Sequence, residues 1–203
     1  MGLAPRIMEL THRPKARWRR SYQVAAGWGF AEATLFFIVP DVWLSYLAQK
    51  SYRHALVACF MALLGALLGG LLLYWLGSQS HMLPKALHGM DMIPAISSAQ
   101  IKQVALDLEQ QGVSAMLLGP LSGTPYKLYA LQSAQAGIPL VLFLLISIPA
   151  RLIRFVLVTS LCAMVTTGLR RLSQKRGTPI PVTWVLFGCW CLFYLLYFSL
   201  MPN

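Results

Sequence analysis

The 203-residue chain is 57% hydrophobic and only 11% charged, with a formal net charge of +11. Soluble domains carry about a quarter charged residues, so this composition excludes an ordinary water-soluble globule and points to lipid as the solvent. The positive excess does not describe a nucleic-acid surface either: Arg6, Arg13, Lys15, Arg17, Arg19 and Arg20 form one block and Arg170, Arg171, Lys175 and Arg176 another, each beside an apolar stretch.

Residues 1 to 21 are expected to form a basic cytoplasmic arm, retained because no small-residue cleavage site closes the apolar run behind it. Residues 22 to 48 are apolar but carry Glu32, Pro40 and Asp41. Residues 55 to 77 are an uncharged run of crossing length, for which roughly 20 residues suffice. Gly65 and Gly69 in that run have the spacing that lets a second helix approach closely. The connector from 78 to 112 sets Lys85 and Lys102 against Asp91, Asp107 and Glu109, which makes it the natural outer loop. Within it Ile101, Val104, Ala105 and Leu108 recur at helical spacing after a Ser97/Gln100 capping box, which predicts a short amphipathic helix lying on the membrane. Residues 113 to 137 are punctuated by Gly119, Pro120, Gly123 and Pro125 and carry Lys127. Residues 138 to 169 are long enough for a tilted crossing but contain Pro149, Arg151 and Arg154. A basic loop from 171 leads to a last span, 183 to 201, rich in Trp, Tyr and Phe of the kind that settle at membrane interfaces. Cys59, Cys162, Cys189 and Cys191 all fall in apolar spans without a C-x-x-C pair, and are expected to be buried small hydrophobes.

Gly/Pro-broken segments survive at membrane depth only where protein or a water-filled cavity covers the freed backbone groups. Segments 22–48 and 113–137 therefore read as re-entrant hairpins. With the N-terminus inside, the first hairpin entering from inside and the second from outside, every basic block lands on the inner face. The hairpin-then-span order occurs twice with opposite entry, the shape of an inverted repeat. The expected fold is an all-α polytopic membrane protein: two opposed re-entrant helical hairpins with flanking transmembrane helices, one membrane domain over 22–170, and a C-terminal helix within 171–203.

A charged side chain at bilayer depth costs from about 2.5 kcal/mol upward. Glu32, Asp41, Arg151 and Arg154 therefore want a common explanation. Arg151 and Arg154 are three apart and share a helix face, where two guanidiniums could grip a phosphate. Two readings stay open: the carboxylates neutralise the arginines and pin the halves together, or a carboxyl picks up a proton and leaves the arginines free for an anion. Lys127 either holds a phosphate at the second hairpin tip or snorkels to the interface. Tyr126 and Tyr129 read as interface anchors. Gly27, Gly29 and Glu32 only approximate a dinucleotide fingerprint, with no strand before them and no third glycine. His81 and His88 lack further ligands, so no metal or other cofactor is expected.

EATLFFIVPDVW, GTPYKLYALQSAQAGIP and SIPARLIRF together resemble the DedA family, also called the VTT or SNARE-associated superfamily, over residues 22 to 170. The resemblance implies two opposed re-entrant hairpins and lipid translocation, which bacterial members are linked to through undecaprenyl phosphate and eukaryotic relatives through phospholipids. It puts the family's essential acidic positions on Glu32 and Asp41 and its paired arginines on Arg151 and Arg154. The chain departs from the pattern where one proline precedes Asp41 in place of a proline-rich run, and where Ala150 precedes Arg151 in place of glycine. The expectation is a non-enzymatic transporter in a bacterial inner membrane, with membrane lipids, an anionic lipid phosphate and protons as partners and no nucleic acid. Arg151, Arg154 and Lys127 would bind the substrate, and Glu32 and Asp41 would couple protons. The rivals are an assembly factor of the same fold and a lipid phosphatase, which would want a positioned nucleophile with a base or metal.

Overall fold

The structure, a computed structural model, describes residues 4–93, 96–119, 123–177 and 181–200, and the side chains among them from Trp18 onward except that of Arg176. Among the described residues it is all-helical: α1 (Ala4–Thr34), α2 (Asp41–Lys50), α3 (Tyr52–Ser78), α4 (Leu83–Asp91), α5 (Ser98–Gln111), α6 (Val113–Leu118), α7 (Tyr126–Gln132), α8 (Leu140–Arg176) and α9 (Val182–Leu200). Three of these, α3, α8 and α9, are long and apolar enough to cross a membrane.

The boundaries differ from the sequence expectation where charge, rather than a backbone breaker, suggested them. The basic arm is not separate: helix runs without interruption from Ala4 to Thr34. The basic residues from 170 to 176 belong to α8, which also runs through Pro149 and stops at Gly177, in the left-handed conformation at φ 67°. The connector from 78 to 112 contains α4, whose proline sits in the first turn where its missing N–H goes unused.

α1 and α3 pack backbone to backbone, and glycine is what allows it. A Cβ on Gly65 would lie 1.9 Å from the Ala26 carbonyl oxygen, and one on Gly29 would lie 2.1 Å from that of Ala62. Gly29 is therefore a packing residue and no part of a nucleotide loop. Gly65→Val is expected to destabilise by about 1–3 kcal/mol or more, since backbone cannot move aside for it. Gly168→Ala, where an added methyl meets open space, should leave a thermal melt in detergent unchanged or slightly raised.

Helix α5 begins with the expected capping box, both halves of which form between Ser97 and Gln100. Its apolar stripe is covered by the protein itself: Val104 and Leu108 are buried in a cluster with Met116, Leu128 and Leu131 from α6 and α7. Tyr126 and Tyr129 join this cluster and are fully buried, so neither anchors at an interface. Of the four cysteines only Cys59 is buried; Cys189 and Cys191 are exposed because α9 buries none of its residues.

Candidate functional site

Both punctuated segments break as helices. α1 ends at Thr34 and α2 starts at Asp41; α6 ends at Leu118 and α7 starts at Tyr126. A break frees backbone groups that a helix would have paired, and in an apolar setting each must find a partner. Around 35–40 these partners are side chains from elsewhere. Trp28 Nε1 donates to the Ile38 carbonyl at 2.9 Å, Lys127 Nζ donates to the Phe36 carbonyl at 2.8 Å, and the Val39 N–H donates to the Tyr194 hydroxyl at 2.9 Å. The first turn of α7 thus meets the first break, and a residue of α9 closes it from another side.

The four charges converge on the same place. Arg151 grips Glu32 through both guanidinium nitrogens, with Nη1 to Oε1 at 3.2 Å and Nη2 to Oε2. Arg154 Nη2 donates to Asp41 Oδ2 at 2.7 Å. Position on α8 explains the partition. Phe143, Ser147, Arg151, Phe155 and Thr159 are buried at every fourth residue, which is the stripe α8 turns inward. Arg151 lies in that stripe and Arg154 at its edge, with 2% and 22% of their side chains exposed.

Arg151 is enclosed on further sides. Its guanidinium sits over the rings of Tyr126 at 4.8 Å and Phe155 at 5.0 Å. Tyr126 is fixed in turn: its hydroxyl donates to Ser147 Oγ at 2.9 Å, and it occupies space that Gly70 leaves open on α3. Arg151 therefore ties α1, α7 and α8 into one unit.

Arg154 faces a cavity of about 90 Å³ lined also by Glu32, Phe36, Val39, Thr124, Lys127 and Tyr197, large enough for a few waters or a small anionic group. Gly123 gives the cavity its turn, holding φ 95°, a conformation that other residues rarely adopt. Lys127 is buried here and does not snorkel. Three cations, Lys127, Arg151 and Arg154, thus stand with two carboxylates, Glu32 and Asp41, leaving an excess of one positive charge. Asp41 Oδ1 is buried and has no hydrogen-bond partner among the described residues.

The site contains residues that the sequence pattern did not single out. Tyr194 and Tyr197 carry no charge and lie in a span full of aromatics, so they read as interfacial. A detectable signal was their spacing with Trp190, which puts 190, 194 and 197 on one helix face.

Three helices long and apolar enough to span a bilayer make the chain an integral membrane protein, and the ion pairs that α8 forms with α1 and α2 give it an internal charge centre. No family model, no curated protein and no solved structure matches the chain.

Proposed function

We propose that the chain is a membrane transporter that moves an anionic amphipath, a lipid phosphate, from one leaflet to the other. The observation that carries this reading is the unbalanced cation count of the charge centre beside the cavity: three basic groups, Lys127 and Arg151 buried and Arg154 at the rim, stand against two carboxylates and call for an anion. Lys127 and Arg154 are the anion ligands in this reading, since both line the cavity and Arg154 keeps donors beyond its contact with Asp41. Arg151 is instead the lock, with Glu32 as its fixed counter-ion. Asp41 is the proton acceptor, through the carboxylate oxygen that is not engaged.

The same reading takes the two broken segments as re-entrant hairpins of opposite entry, the N-terminus as cytoplasmic and the chain as a divergent DedA protein of a bacterial inner membrane. Support comes from the quoted sequence motifs, from the helix breaks at 35–40 and 123–125, and from their meeting at one cavity.

A second reading, a non-transporting packing module, is favoured by the fact that both carboxylates already hold an arginine. A leaflet-accessibility assay separates them. Vesicles reconstituted with the chain and a phosphatidic acid labelled on a short acyl chain, its phosphate left free, should expose inner-leaflet label to an external quencher faster than empty vesicles. Lys127→Gln should slow that exposure about tenfold, as expected for loss of one charged contact. Equal rates with and without protein would leave the packing module, and phosphate release from the lipid would indicate a phosphatase.

A further inference from the structure

α9 is attached along a single seam. The least exposed residues of α9, Val182, Leu186, Trp190, Tyr194 and Tyr197, recur every three or four positions on one stripe. In lipid the apolar contacts of such a seam hold little in place, because acyl tails solvate the same surface equally well. Docking then depends on polar bonds and close packing. Among the described residues three bonds serve: Thr183 Oγ1 donates to Gln49 Oε1 at 3.0 Å, Trp190 Nε1 donates to Ser45 Oγ at 3.0 Å, and the Tyr194 hydroxyl accepts from Val39 N–H at 2.9 Å. All three run to α2 or to the break before it.

The Tyr194 bond differs from the other two in where it lies. Val39 lines the cavity that Arg154 and Lys127 also line, and Tyr197, one turn on from Tyr194, forms part of the wall. The Val39 N–H is a donor set free by the helix break, and a neutral phenol oxygen from another helix meets it. A phosphate oxygen carries charge and makes a stronger bond to the same donor. On the side of the break that faces outward, Leu35, Phe36 and Phe37 are exposed and continuous with the cavity lining, an apolar path for a hydrocarbon chain.

We propose that the Tyr194 hydroxyl holds the place of a phosphate oxygen on the Val39 N–H, and that α9 is a displaceable side wall which leaves as the lipid phosphate enters from the membrane. The inference rests on the transporter reading above. Its thermodynamic logic is differential affinity: only the displaced state offers Val39 N–H to the substrate, so binding favours displacement. Tyr194 is thereby a positioning residue for α9 and a competitor of the ligand.

Tyr194→Phe isolates the hydroxyl while keeping the ring. Its affinity for short-chain phosphatidic acid, compared with wild type in detergent, should rise roughly three- to tenfold. In vesicles of neutral phosphatidylcholine, nitroxide labels on Leu64→Cys and Leu195→Cys, with the four native cysteines changed to alanine, report the distance from α3 to α9. Tyr194→Phe should add a longer-distance population, and so should phosphatidic acid with Tyr194 intact. Unchanged or weaker affinity in Tyr194→Phe overturns the proposal, as does a single short distance that neither the substitution nor the lipid moves. If wild type and a Lys127→Gln/Arg154→Gln variant bind phosphatidic acid equally weakly, the phosphate site itself falls and the place-holder role with it. The neutral-lipid distances tell that failure from a failure of the wall alone.

Discussion

Arg151→Ala is expected to cost the protein about 3–5 kcal/mol, the usual consequence of leaving one member of a buried ion pair without its partner. Glu32 would remain buried with neither oxygen hydrogen-bonded to a cation, because both are held by this one guanidinium. Two aromatic faces would also lose the cation stacked on them. Arg151→Lys should fall between, since an ammonium keeps the charge but cannot make the two-pronged contact. The double variant Glu32→Gln/Arg151→Gln removes both charges and should recover much of the loss. Reversible unfolding in mixed micelles measures all four proteins. Arg151→Ala as stable as wild type would mean that the pair is not the lock between α1 and α8.

The ionisable residues were legible in the sequence because charge inside an apolar segment is expensive and stands out by type alone. Their pairing was not. Glu32 with Arg151 and Asp41 with Arg154 depends on the rotation of α8, which sets Arg151 in the inward stripe and Arg154 at its rim, and two arginines three apart look equivalent on paper. The Gly65 and Gly69 spacing announced a close helix contact, and the partner proved to be the α1 segment that carries Glu32.

Other features were hidden for identifiable reasons. Lys127 was balanced between snorkelling and ligand binding, because a lysine at a helix start does either. The carbonyl it bonds, Phe36, is 91 residues away and exposed only by the first break. The continuity of α1 through residue 21 was missed because the composition changes there while the backbone does not. The aromatic residues of α9 belong to a compositional class that marks interfaces, so their bonds to Val39 and Ser45 had no separate signature beyond a shared helix face.

The Asp41–Arg154 pair gives the largest expected effect on transport, and it separates a lock from a seat. A lock needs only that charges balance, so removing both members together should restore what removing one destroys. A seat needs the cation itself. Arg154→Gln is expected to lower lipid-phosphate transport tenfold or more, in line with loss of a charged hydrogen-bond donor. The neutral double variant Asp41→Asn/Arg154→Gln should melt near wild type yet remain equally slow. Asp41→Asn alone should still bind phosphatidic acid while transporting poorly, because the arginine is then freed and the proton acceptor is gone. The matching double variant at the other pair, Glu32→Gln/Arg151→Gln, leaves Lys127 and Arg154 on the cavity and should keep transport within a few-fold of wild type. Recovery of transport in Asp41→Asn/Arg154→Gln would make Arg154 a second lock and leave Lys127 as the cavity's sole anion ligand in this scheme.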